Sequence, residues 1–136
     1  MNWKQEYELG IPVIDTQHKQ LFRFNEELQD AIKRGLKVSS INMLLTQIKQ
    51  YAARHFAMEE KYMEDVSYPQ MQEQKDAHAA FAIHFDEIQD DFNAKGMTPA
   101  LVEAITNELI KWIVDHVTGM DQAFGDYYRE HSPERT

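Results

Sequence analysis

INMLLTQIKQYAARHFAMEEKY, residues 41–62, is the stretch that decides how this chain folds. Ile41, Leu44, Leu45, Ile48, Tyr51 and Ala52 recur at the helical period and share one face, with no strand-like alternation. His55 and Glu59 lie on that same face, ahead of Tyr62. A stripe that should be packed away therefore carries two ionisable side chains. The pattern predicts a helix from Ser39 or Ser40 to about Val66.

Three more stripes appear on either side of it. His18, Leu21, Asn25, Leu28 and Ile32 predict a first helix capped by Asp15 or Thr16 and stopped at Gly35, after an arm holding Trp3, Tyr7 and Ile11-Pro12. Met71, Gln74, His78, Phe81, Phe85, Ile88 and Phe92 predict a third, with Pro69 as its first residue and its end before Gly96. Val102, Ile105, Leu109, Trp112, Ile113 and His116 predict a fourth, with Thr98 as cap, Pro99 as first residue and Gly119 as terminator. Short connections favour antiparallel neighbours, so the expected fold is all-α: an up-down-up-down four-helix bundle with an N-terminal arm, one domain over residues 1–136.

Composition removes whole classes of function. At 136 residues one core suffices, and with no cysteine there is no disulfide framework, thiolate metal site or cysteine nucleophile. A formal charge of −9 repels nucleic acid and anionic membranes. MNWKQEYELG at the start holds no apolar run of signal-peptide length, and nowhere do eighteen apolar residues follow one another. A cytoplasmic protein without membrane insertion is the expectation.

Every predicted helix carries a histidine on its apolar stripe: His18, His55, His78 and His116. Residues four apart on a helix differ by about 40° around its axis, so His55 with Glu59, and Gln74 with His78, project inward together. His116 and Asp121 are five apart, about 140° on a regular helix, and can face one another only if the chain leaves helical geometry near Gly119. Histidines and carboxylates converging in a Leu, Ile and Phe core carry a desolvation cost that a bound metal ion offsets. Four imidazoles with two carboxylates exceed the needs of one ion, and carboxylates can bridge, so two ions are expected. Thiolate-free, imidazole-rich ligation suits iron; manganese or zinc is compatible with the same donors. The Glu-x-x-His pairs of ferritin-like di-iron bundles do not occur.

These residues resemble the hemerythrin family in its single-domain bacterial form, the bacteriohemerythrins. The matching elements are Gly10-Ile11, Ile14-Asp15, Gln17-His18, Leu21-Phe22, His55-Phe56, Glu59-Glu60, Tyr68-Pro69, His78, and Trp112 with His116 and Asp121. The resemblance implies two irons bridged by Glu59, Asp121 and an oxo or hydroxo group. His18 and His55 would hold the iron with an open position for dioxygen, and His78 and His116 the other. The family's fifth histidine falls where this chain has Gln74, whose carbonyl oxygen is a weaker neutral donor than imidazole and either ligates or leaves the position to water. Leu21, Phe56, Trp112 and Val117 would wall a dry pocket around the open iron.

Asp15 is expected to cap its helix, Glu60 to be an exposed neighbour of Glu59, and His84 and His131 to lie at the surface. The leading functional expectation is oxygen carriage, storage or delivery, with dioxygen as ligand and an oxygen-consuming enzyme or reductase as partner. An enzyme with oxidase, peroxidase or nitric-oxide chemistry is the alternative. A sensor or iron buffer ranks third.

Overall fold

A computed structural model describes residues 3–132, which are helical throughout their length apart from turns and the arm. After a 3-10 turn at Gln5–Tyr7, the helices are α1 (Pro12–Lys33), α2 (Val38–Asp65) and α3 (Met71–Lys95). The fourth, α4, runs continuously through Pro99–Ala104, a π-helical stretch Ile105–Ile110 and Lys111–Thr118; α5 is Met120–His131. No strand occurs among the described residues.

Cross-helix pairs give the direction of each neighbour. Gln17 reaches His55 and Phe24 meets Tyr51, so α1 and α2 are antiparallel. Glu60 reaches His78 and Thr46 reaches Gln89, so α2 and α3 are too. α3 packs on the first half of α4, and the Lys111–Thr118 half returns to α1, closing the bundle.

Several boundaries differ from the sequence expectation. α1 begins at Pro12, earlier than Asp15 or Thr16, because a proline in the first turn loses no helical hydrogen bond and has its φ already set. Asp15 is consequently inside the helix and does not cap it. Its carboxylate accepts from the amides of Leu9 (2.7 Å) and Gly10 (3.2 Å), fastening the arm across the first turn. α2 starts at Val38, before Ser39 and Ser40. Pro69 occupies the turn ahead of α3 and does not open it: the Met71 amide donates to Tyr68 O at 3.1 Å. On the α1 stripe Ala31 is buried where Ile32 was expected.

Other signals act as read. Gly35, at φ 66°, ends α1 with its amide on Ile32 O and that of Leu36 on Ala31 O, a left-handed turn that suits glycine. Thr98 caps α4 by accepting from Leu101 N at 3.1 Å, with Pro99 next. The π-helical stretch was not foreseen. Its Lys111 amide donates to Thr106 O, five residues back, and Leu109, Ile110, Ile113, His116 and Val117 are all buried.

Two apolar clusters result. The larger fills the bundle with Leu21, Leu45, Ile48, Phe81, Phe85, Phe92, Ile105 and their neighbours; the smaller joins Leu9, Ile11 and Ile14 to Met63, Val66, Tyr68 and Phe124 at the end covered by the arm and α5. α1, α2 and α3 run from one cluster to the other, α4 packs in the larger and α5 in the smaller, and the polar positions fall between. Asp15→Ala removes both carboxylate acceptors and is expected to cost about 2 kcal/mol. Urea unfolding measures that loss, and a red-shifted Trp3 emission would report the freed arm.

Candidate metal centre

Between the two clusters lie His18 (α1), His55 and Glu59 (α2), Gln74 and His78 (α3), His116 (α4) and Asp121 (α5), all buried. The bundle brings together every one of these sequence-predicted positions. α4 ends at Gly119, where a Cβ would stand 2.9 Å from Asp115 O; α5 then restarts and turns Asp121 inward. That break removes the angular mismatch between His116 and Asp121.

Donor atoms sort into two groups, each lying within 4.8 Å: His18, His55, Glu59 and Asp121 in one, His78, His116, Glu59 and Asp121 in the other. Both carboxylates belong to both. Glu59 Oε2 is 3.1 Å from His18 Nε2 and 3.3 Å from His55 Nε2, while its Oε1 is 3.2 Å from His78 Nε2. Asp121 Oδ2 is 3.2 Å from His18 Nε2, and Oδ1 is 3.2 Å from His116 Nε2. Each carboxylate thus turns one oxygen toward each histidine pair, as a bridge between two cations requires. His78 Nε2 and His116 Nε2 approach to 3.2 Å, lone-pair nitrogens converging where a cation would satisfy both.

The rings are held from behind. His55 Nδ1 pairs with Gln17 Oε1 at 2.7 Å, and His78 Nδ1 with Glu60 Oε2 at 2.8 Å. Such partners fix the ring orientation and leave Nε2 for a metal. Glu60 was expected to be merely exposed; it is half-buried and supports His78. Gln17 and Trp3, whose ring lies 6.4 Å from His18, were likewise missed as parts of the site. Each is next to a site residue or on the arm, and an apolar-stripe reading registers neither.

Phe56 stacks on His78 at 3.9 Å and Trp112 on His116 at 4.5 Å, so these two rings lie flat against the second histidine pair. Leu21 and Val117 are buried members of the larger cluster, to which Phe56 also belongs. Gln74 donates its Nε2 to Asp121 Oδ1 at 3.1 Å, and its Oε1 is buried without a hydrogen-bond partner. Asn25, two turns along α1 from His18, is buried with both amide atoms unpartnered. His84 is part-exposed and pairs with Glu108 at 3.3 Å, away from the centre. His131 is exposed but ends α5, stacked on Tyr127, where a solvated tail had been expected.

A family model described as hemerythrin HHE cation binding domain matches residues 9–128. The chain belongs to the hemerythrin family. Among its relatives, a bacteriohemerythrin of Stenotrophomonas maltophilia is 27% identical over 129 residues, 95% of this chain and 82% of the relative. One from Clostridium acetobutylicum is 27% identical over 130 residues, covering 91% of this chain and 98% of the relative. One from Pseudomonas aeruginosa is 28% identical over 132 residues, 97% and 84% respectively. Hemerythrin-type bundles thus account for nearly the whole length described.

Without a cation the layer is held by protons. Burial alone would lower the pKa of His18, but hydrogen bonds and charge attraction from Asp121 and Glu59 outweigh it and raise it to about 9. Burial would raise Glu59, yet His55, His18 and His78 hold it well below the usual carboxylate range. His18 is raised above its unfolded value, so its contribution is complete below pH 6.5 and disappears as pH rises through 9; that of Glu59 is present above its unfolded value and lost in acid. Chelated protein is therefore expected to lose about 3 kcal/mol of urea-measured stability between pH 6.5 and 9 from His18 alone. Asn25→Leu, which removes two unsatisfied buried atoms at similar volume, is expected to raise stability by about 1–3 kcal/mol in the same assay.

Proposed function

We propose that this chain is a non-haem di-iron oxygen-binding protein that carries, stores or delivers dioxygen. The observation carrying that reading is the matched pair of donor groups, each with two imidazoles and one oxygen from both Glu59 and Asp121. The donor chemistry fits iron, since neutral imidazoles and ionised carboxylates without thiolate suit an intermediate cation, with manganese or zinc as physical rivals. Bound there, a pair of irons supplies reversible two-electron chemistry toward dioxygen.

The chain's own residues set the conditions. Glu59 and Asp121, each belonging to both donor groups, would offset the charge of cations held there. Gln17 and Glu60 orient His55 and His78, and so hold the Nε2 atoms on target. Leu21 and Val117, with Phe56 and Trp112 against the rings, exclude water that would otherwise bring protons to the site. Cytoplasmic residence and hand-over to an oxygen-consuming enzyme or reductase belong to the same proposal; no helix among the described residues is long and apolar enough to cross a membrane.

A second reading, oxidase, peroxidase or nitric-oxide chemistry, is favoured by one observation: Gln74 turns its amide nitrogen, which cannot ligate, toward Asp121. The two readings separate in one experiment. Protein loaded anaerobically with ferrous iron is expected to hold two irons per chain, develop a visible charge-transfer band in oxygen and lose it under vacuum. Permanent oxidation after the first exposure would count against carriage. On the enzymatic reading Gln74→His lowers turnover and improves oxygen retention, whereas on the carrier reading both proteins release oxygen under vacuum.

A further inference from the structure

Beside Gln74 the surface opens into a cleft of about 510 Å³ between the turn after α2, the start of α3 and α5. Tyr68, Glu73, Gln74, Met120, Ala123 and Tyr127 line it. A water occupies about 30 Å³ of liquid, so the cleft admits several such molecules to the wall that Gln74 forms. Immediately behind that wall is Asp121, the carboxylate shared by the two donor groups.

The amide is turned the wrong way to complete the second group. Gln74 Nε2 donates to Asp121 Oδ1, the oxygen that faces His116, and an amide nitrogen has no lone pair for a cation. Gln74 Oε1, the atom that has one, is buried and unpartnered. The histidine and carboxylate donors consequently number the same on both sides: His18 and His55 with two carboxylate oxygens, His78 and His116 with two. Cations that favour six donors would keep exchangeable positions at both.

We propose that this cleft is a ligand port to the position held by His78 and His116, through which a small monodentate ligand of water or azide size would reach a coordination place that the Gln74 amide does not fill. Gln74 acts there as a positioning residue: its amide holds Asp121 and forms the wall that an entering ligand must pass. This inference rests on the di-iron reading and adds to it a second, separately reached exchange position.

Azide titration of the diferric protein, followed by calorimetry and by its charge-transfer absorption, tests the port once iron content has been measured. Two azides per two irons are expected in the unmodified protein and one in Gln74→His. Ala123→Trp, on the exposed rim of the cleft, is expected to slow the second association at least tenfold and leave the first unchanged; Met120→Phe serves as an independent plug. A single azide in the unmodified protein, or a second whose rate ignores both plugs, overturns the port. Two bound irons with one azide would spare the di-iron reading, while failure to hold iron at all would defeat both.

Discussion

A layer of ionisable and amide side chains lies across the middle of an otherwise apolar bundle, and the rest of the structure is arranged around the cost of keeping it dry. His18, His55, Glu59, Gln74, His78, His116 and Asp121 are all nearly inaccessible to solvent. Burying one unpaired charge costs several kcal/mol, so such a layer persists only when each group faces an opposite partner. Here the partners are one another: both carboxylates sit between imidazoles, and protons hold the set together in the absence of a cation. Two metal ions would substitute for those protons, which is why the same geometry reads as a dinuclear centre.

Backbone irregularities lie near this layer and serve it. The break at Gly119 lets two residues five apart in sequence face the same centre. The π-helical stretch Ile105–Ile110, about three turns earlier, leads into the segment that buries Ile113, His116 and Val117 on one face. Gln17 and Glu60, from the flanks of α1 and α2, then lock the rings that the backbone has delivered.

Most of the bundle and the position of every proposed donor could be read from the sequence, because helical periodicity and the polar interruptions of a stripe are the same signal seen twice. α3 shows this well: Gln74, His78, Phe81, Phe85, Ile88 and Phe92 are all buried as spaced. What periodicity lacks is information about edges. Glu60 and Gln17 sit one residue off the buried face and were invisible until the neighbouring helix was in place. Asp15 was mistaken for a cap because a carboxylate close to a helix start does the same work whether its target is the helix or the arm. α5 was missed because Phe124, Tyr127 and Tyr128 form too short an apolar run to stand out beside a charged C-terminal segment. The rotation of the Gln74 amide depends on Asp121, 47 residues later, and on no local pattern.

The arm and α5 cover the same end of the bundle. The arm's carbonyl groups are held by α5: Gln122 donates to Tyr7 O at 2.6 Å, Arg129 to Leu9 O, and Phe124 joins Leu9 in the smaller cluster. The arm is therefore fastened from two sides, its amides by Asp15 of α1 and its carbonyls by α5. Loosening α5 would free the arm and withdraw Asp121 together, so the cover over that end of the bundle and one shared carboxylate move as a single piece.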